Sequence, residues 1–189
     1  MIGGDGRYFS REAVEIILRI ACANGIDEIH VAKDTLMSTP ACSAYIRMLN
    51  REIGNCLGGI LLTASHNPGG PNEDFGIKFN SRNGGPAQEE FTNSVFKETT
   101  VISEFKIADF NFSSVVDFGK IGEYKFTKVE RVDKPNFTVK VVENIKHYVE
   151  LMKQEFDFEA IQKLFSRDDF KFVFDGMYGV AGPYAKALF

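Results

Sequence analysis

The stretch "GGILLTASHNPGGPNEDFGIKFN", residues 58–80, reads as two strands separated by a loop of unusual make-up. Ile60, Leu61 and Leu62 form an unbroken apolar run that stops at Thr63. Such a run is buried on both faces, which belongs to a mostly parallel sheet covered by helices. Ser65, His66 and Asn67 follow, and then Pro68, Gly69, Gly70 and Pro71. Prolines flanking a glycine pair make the loop stiff. The next run, "GIKFN" at 76–80, alternates as a strand does. A stiff polar loop at the carboxyl end of a buried strand is a common place to hold a reactive group.

Working outward, Ser10 predicts the cap of a helix reaching about Asn24, with Val14, Ile17, Leu18 and Ala21 on one face and Gly25 as its stop. "EIHVA", 28–32, reads as a short strand. Ser38-Thr39-Pro40 gives a cap and a first-turn proline for a second helix to about Asn50. Asn83-Gly84-Gly85-Pro86 turns into a helix over 87–98, with Glu89 and Glu90 in its first turn. The fold class that follows is α/β, with a mixed, mostly parallel sheet and flanking helices. Residues 115–131 predict two strands about a Gly119–Gly122 turn, and Lys134-Pro135-Asn136 a domain boundary. From Thr138 to Phe165 the pattern reads as helical, broken near Phe156-Asp157. The closing "FKFVFDGMYGVAGPYAKALF" reads as strand, glycine-rich turn and the start of a helix.

The chain has 189 residues, 44% of them hydrophobic and 25% charged, with a net charge of -4. That is the balance of a globular protein with ample material for a core. No block of Lys or Arg forms, so a nucleic-acid surface is not expected, and no apolar run has membrane length. Cys22, Cys42 and Cys56 make an odd number without a C-x-x-C spacing, which reads as buried free thiols in a reducing compartment. "MIGGDGRYF" looks like a strand already ending, which predicts a missing N-terminal segment.

In the 63–71 loop a hydroxyl, an imidazole, an amide and glycine-rich backbone N–H groups come together, a combination that binds anions, phosphate above all. The G-x-S-x-G hydrolase elbow and the G-x-x-x-x-G-K-[ST] phosphate loop are both absent. A capped polar turn between two core strands would use the same residues, and spacing alone leaves both readings open.

The motifs decide further. "TASHNPGGPNEDFGIKFN" with N-G-G-P-A at 83–87 resembles the active-serine loop of the α-D-phosphohexomutases, in the branch of the eukaryotic-type phosphoglucomutases. "GGDGRYF" (3–9), "STPACS" (38–43) and "DGMYGVAGPY" (175–184) resemble further segments of that family in the same order. The resemblance implies that Ser65 carries a phosphate and passes it to glucose 1-phosphate. Glucose 1,6-bisphosphate then turns round and returns its other phosphate, leaving glucose 6-phosphate. It implies Lys78 and His66 as catalytic residues, Lys78 in proton transfer, and Asn67 and Arg7 as substrate-binding. For Arg7 a salt bridge with an acidic neighbour is an equal reading, and for His66 a role in holding the loop. Mg²⁺ would be held through the phosphate on Ser65, and glucose 1,6-bisphosphate would act as activator.

The resemblance also implies absences. The family's G-T-S-G-L-R segment, its D-G-D-x-D-R metal loop, its G-E-E-S-x-G sugar loop and its last phosphate-binding loop do not occur in these residues. The expectation is therefore residues 1–135 as the family's first domain lacking its N-terminal segment, and 136–189 as the truncated start of a second similar α/β domain. Such a piece is expected to be inactive alone and to need the missing domains of its own polypeptide. A cytoplasmic location is expected, with a phosphosugar substrate and neither nucleic acid nor membrane as partner. The alternatives are a mutase for another phosphosugar such as mannose phosphate, and a phosphoprotein acting as a regulated, non-catalytic binding partner.

Overall fold

The computed structural model describes residues 1–129 and 136–189. Strand β1 (Ile2–Gly4) leads into helix α1 (Ser10–Ala23), then β2 (Glu28–Leu36), α2 (Thr39–Glu52), β3 (Gly58–Leu62), β4 (Ile77–Ser81) and α3 (Glu89–Val101). After a 3-10 turn at Phe112–Ser114 come β5 (Gly122–Phe126), β6 (Phe137–Val142), α4 (Lys146–Glu155), α5 (Phe158–Phe165) and α6 (Ala181–Leu188). Among the described residues the sheet has six strands in the order β4-β3-β1-β2-β6-β5. The four inner strands run parallel, and β4 and β5 are antiparallel edges. This is the mixed, mostly parallel α/β class that the apolar run at 60–62 predicts.

Leu61 and Leu62 are both fully buried, and they point to opposite faces of the sheet. Leu62 packs with Val14, Leu18 and Cys22 of α1 and with Ile2, Val31, Phe112, Val139 and Val141. Leu61 packs with Ala41, Cys42, Ile46 and Leu49 of α2 and with Ala32, Met37 and Tyr184. Each such side chain stabilises the fold by about 1.5–3 kcal/mol. Helices on both faces thus explain why β3 needs no polar alternation.

The local signals work at some ends and fail at others. Ser38 caps α2 as predicted, its Oγ accepting from Ala41 N at 3.4 Å, with Pro40 in the first turn. Gly25 follows α1 with φ +84°. Ser10, however, is the first helical residue rather than the cap, and its buried hydroxyl has no partner among the described residues. β2 runs four residues past the predicted end, through a bulge where Ile2 aligns with Val31 but Gly4 with Leu36. Asp34 and Thr35 sit there at φ 56° and 62°, conformations that non-glycine residues rarely adopt.

The largest corrections lie beyond residue 110. Of the two strands expected over 115–131, β5 alone forms among the described residues, and Phe118 instead sits in a turn whose carbonyl accepts from Asp34 N. Lys134 and Pro135 of the expected boundary lie outside the described residues. The strand that follows, β6, joins the first sheet beside β2, although Thr138 onward was expected to be helical. The helical break at Phe156-Asp157 is where the sequence puts it. Residues 170–175 form no strand, and α6 packs instead on the α2 face through Tyr184. Cys22, Cys42 and Cys56 are free thiols, and burial pushes Cys42 up to about 11.

Candidate active site

β1 and β3 are parallel neighbours, so their carboxyl ends emerge side by side. They approach closely because residue 4 is glycine: a Cβ there would lie 2.3 Å from the Leu62 carbonyl oxygen. The residues next in line, Asp5 and Thr63, meet at once. Thr63 Oγ1 donates to Asp5 Oδ2 at 2.7 Å, and the same hydroxyl oxygen accepts from the backbone N–H of Ser65 at 3.0 Å. Burial alone would raise the Asp5 carboxyl, but hydrogen bonds from Arg7 and Thr63 and the Arg7 charge outweigh it and hold the group below its ordinary value.

Arg7 folds back under the loop. Its Nε and one terminal nitrogen grip Asp5, the latter at 2.8 Å, while the other terminal nitrogen donates to the Asp74 carbonyl at 2.6 Å and reaches the Asn67 carbonyl at 3.5 Å. The side chain is only 6% exposed. All three guanidinium nitrogens are committed, so Arg7 has the geometry of a brace between the β1 turn and the loop. The planar fork makes this possible; a lysine could not span it. Asn67 Nδ2 donates to Asp74 Oδ2 at 2.9 Å, and Asp74 N donates to the Pro68 carbonyl, closing the loop on itself.

Ser65 stands at the top of this frame with φ 56°, a strained conformation for a residue with a side chain, and it is exposed. β4 returns antiparallel to β3 with Lys78 opposite Leu61. From there Lys78 Nζ donates to Ser65 Oγ at 2.9 Å. The structure therefore joins Ser65 with Lys78, and Asn67 with Arg7. His66 is exposed and its ring has no hydrogen-bond partner among the described residues. Asp5 and Thr63, which sequence reasoning did not single out as site residues, carry the frame. Their signal was position: each is the first polar side chain after a strand that ends at the loop.

Among the described residues no group of three His, Cys, Asp or Glu side chains converges as a metal cage. Nor is any described helix long and apolar enough to cross a membrane.

Residues 1–106 match the model of the family described as phosphoglucomutase/phosphomannomutase, alpha/beta/alpha domain I. Phosphoglucomutase-1 of Paramecium tetraurelia is 54% identical over 189 residues, covering the whole chain and 33% of that protein. The cytoplasmic phosphoglucomutase of Bromus inermis is 50% identical over 190 residues, covering 32% of it. A crystal structure of an exocytosis-sensitive phosphoprotein, parafusin, a phosphoglucomutase from Paramecium in its open form, superposes with a TM-score of 0.94 at 53% identity. It is matched over 99% of this chain and 33% of that one, so the chain spans about a third of the length of its relatives. An exposed serine, held in a strained loop and bonded to a lysine from the neighbouring strand, thus sits in a chain that belongs to the phosphoglucomutase/phosphomannomutase family.

Proposed function

We propose that this chain is the nucleophile-bearing part of a phosphoglucomutase that interconverts glucose 1-phosphate and glucose 6-phosphate. The observation that carries the reading is the 2.9 Å hydrogen bond from Lys78 Nζ to the exposed Ser65 Oγ. In the forward half-reaction the seryl Oγ–P bond breaks as the sugar 6-hydroxyl oxygen forms its own bond to phosphorus. The sugar hydroxyl loses a proton and the departing seryl oxygen gains one. Lys78 serves as the carrier, giving its proton to Ser65 and taking up the one from the sugar. The bound glucose 1,6-bisphosphate turns round, and its 1-phosphate returns to Ser65 by the same steps in reverse.

Each neighbour then has a defined task. Thr63 fixes the Ser65 backbone, Asp5 fixes Thr63, and Arg7 holds the loop from beneath rather than contacting substrate. Asn67 holds Asp74 and so the loop's width, while the free imidazole of His66 is available to an incoming sugar phosphate. The phosphate on Ser65 would hold Mg²⁺, which would supply positive charge to offset that on the phosphoryl group in transfer. Among the described residues no carboxylate cluster completes a cage for the ion, so the residue that would hold it here is a phosphorylated Ser65. The cytoplasmic name of the Bromus inermis relative supports a cytoplasmic location. Because the relatives are three times as long, we take this stretch alone to be inactive.

Intact mass spectrometry of the whole protein, before and after glucose 1,6-bisphosphate and Mg²⁺, tests the reading. The expected result is a gain of about 80 Da, one phosphoryl group, mapped to Ser65 and removed by glucose 6-phosphate. A protein that never takes phosphate at Ser65 under these conditions overturns it.

A further inference from the structure

Tyr184 lies far from the loop in sequence but packs on the face of the sheet that Leu61 of β3 occupies. Its ring is 6% exposed, packs in the cluster around α2, and meets Tyr148 edge to face with centroids 5.6 Å apart. Its hydroxyl makes two backbone contacts at once. It accepts from the Ser38 N–H at 3.2 Å and donates to the Asn144 carbonyl at 2.8 Å. Asn144 is itself tied down, its Nδ2 donating to the Leu36 carbonyl at 2.8 Å. One phenol therefore pins α6 to the turn before α4 and to the capping residue of α2.

That capping residue is not remote from the nucleophile. Met37, the residue before it, donates its N–H to the Gly4 carbonyl at 2.9 Å, and a Cβ on Gly3 would lie 2.7 Å from Met37 Cβ. Gly4 is followed by Asp5, which receives the Thr63 hydroxyl, which in turn receives the Ser65 N–H. Every link is a short contact between backbone or rigid groups, with no long flexible side chain between Ser38 and Ser65. Burial raises the Tyr184 hydroxyl above its ordinary value, so the proton it donates stays in place at neutral pH.

We propose that Tyr184 is a positioning residue for Ser65, acting from α6 through Ser38, Met37 and the end of β1. The inference rests on the phosphotransfer reading of Ser65. It gives the glycine-rich 176–184 segment a task in setting the nucleophile loop, beyond opening the next element of the chain.

The test is Tyr184→Phe in the whole protein, which keeps the ring and removes one oxygen. Amide hydrogen exchange is compared with wild type at residues 36–42 and 63–67, and phosphorylation of Ser65 is timed from glucose 1,6-bisphosphate. A half-buried N–H left without its partner predicts exchange on the order of tenfold faster at 36–42, with a smaller rise at 63–67. Single-turnover phosphorylation of Ser65 should slow several-fold, with half-saturation by glucose 1,6-bisphosphate unchanged. Faster exchange confined to α6 and residues 144–148, with 63–67 and the phosphorylation rate unchanged, would overturn the proposal. If wild type itself takes no phosphate, the mutase reading fails, and the exchange at 63–67 still decides whether Tyr184 sets the loop.

Discussion

Lys78 Nζ and Ser65 Oγ lie 2.9 Å apart although they are thirteen positions apart in sequence, and neither belongs to a buried cluster. The contact exists because β3 and β4 pair antiparallel from Gly58–Ser81 to Leu62–Ile77, bringing the ends of the loop back together. Thr63 N donates to the Gly76 carbonyl at 2.8 Å and extends that pairing one step into the loop.

Lys78→Met should leave the fold intact and cripple the chemistry. The side chain is exposed, so thermal stability should stay within about 0.5 kcal/mol of wild type. Loss of a positioned proton carrier should slow Ser65 phosphorylation by about 10²–10⁴-fold. Timed intact-mass measurement after mixing with glucose 1,6-bisphosphate reads this directly, and a rate near wild type would show that the proton travels another way.

Asp5 makes stability depend on acid. Its carboxyl titrates below its unfolded value, so the folded state binds its proton less readily than the unfolded chain does. The stability it contributes is present above the ordinary aspartate value of about 4 and is lost as pH falls through the lower folded value. Asp5→Asn should cost about 1–3 kcal/mol at pH 7 and flatten the acid limb of a melting-temperature profile. An unchanged acid limb would mean that other carboxylates dominate it.

At the mouth of the loop, space rather than charge decides. A Cβ on Gly76 would sit 2.3 Å from the Thr63 carbonyl oxygen, which belongs to backbone and cannot swing aside. Gly76→Ala should therefore destabilise by about 1–3 kcal/mol in urea unfolding. Gly182→Ala is the matched control: it lies in α6 with nothing within 4 Å of the added carbon. It should be neutral or stabilise by up to about 1 kcal/mol.

The aromatic cluster on the α1 face of the sheet should matter for stability alone. Phe112 is fully buried and meets Phe110, Phe126 and Phe137 with centroids 4.9, 5.0 and 5.2 Å away. Phe112→Ala should cost about 3–5 kcal/mol, which for a chain of this size lowers the melting temperature by roughly 10 °C. In the protein that remains folded, the rate of Ser65 phosphorylation should be unchanged.

Local grammar was legible where one segment contains its own reasons. Ser38 and Pro40 start α2, Gly25 follows α1, and the apolar run of β3 announces burial on both faces. Ser65 and Lys78 were singled out by the family-like motif around them, and the hairpin of β3 and β4 places their side chains within hydrogen-bond distance. β6 was missed although Phe137, Val139 and Val141 alternate inward, because the helical residues of α4 begin only four positions after it. A window spanning both averages two periods into one. Asp5 and Thr63 were missed as site residues for another reason. Each marks a strand end by being its first polar side chain, but their partnership depends on β1 and β3 lying side by side, and neither segment names a partner 58 positions away.

Among the described residues the strand order divides the sheet into two panels, β4-β3 on one side and β2-β6-β5 on the other, with the three residues of β1 as the strand hydrogen-bonded to both. Ser65 and Lys78 both ride on the smaller panel, while Asp5 and Arg7 issue from the joint. A small shear between panels would leave the serine and its lysine in register and change only how firmly the loop above them is clamped. Ser65 and Lys78 thus ride together on one panel, and the clamp on their loop issues from the strand that links it to the other.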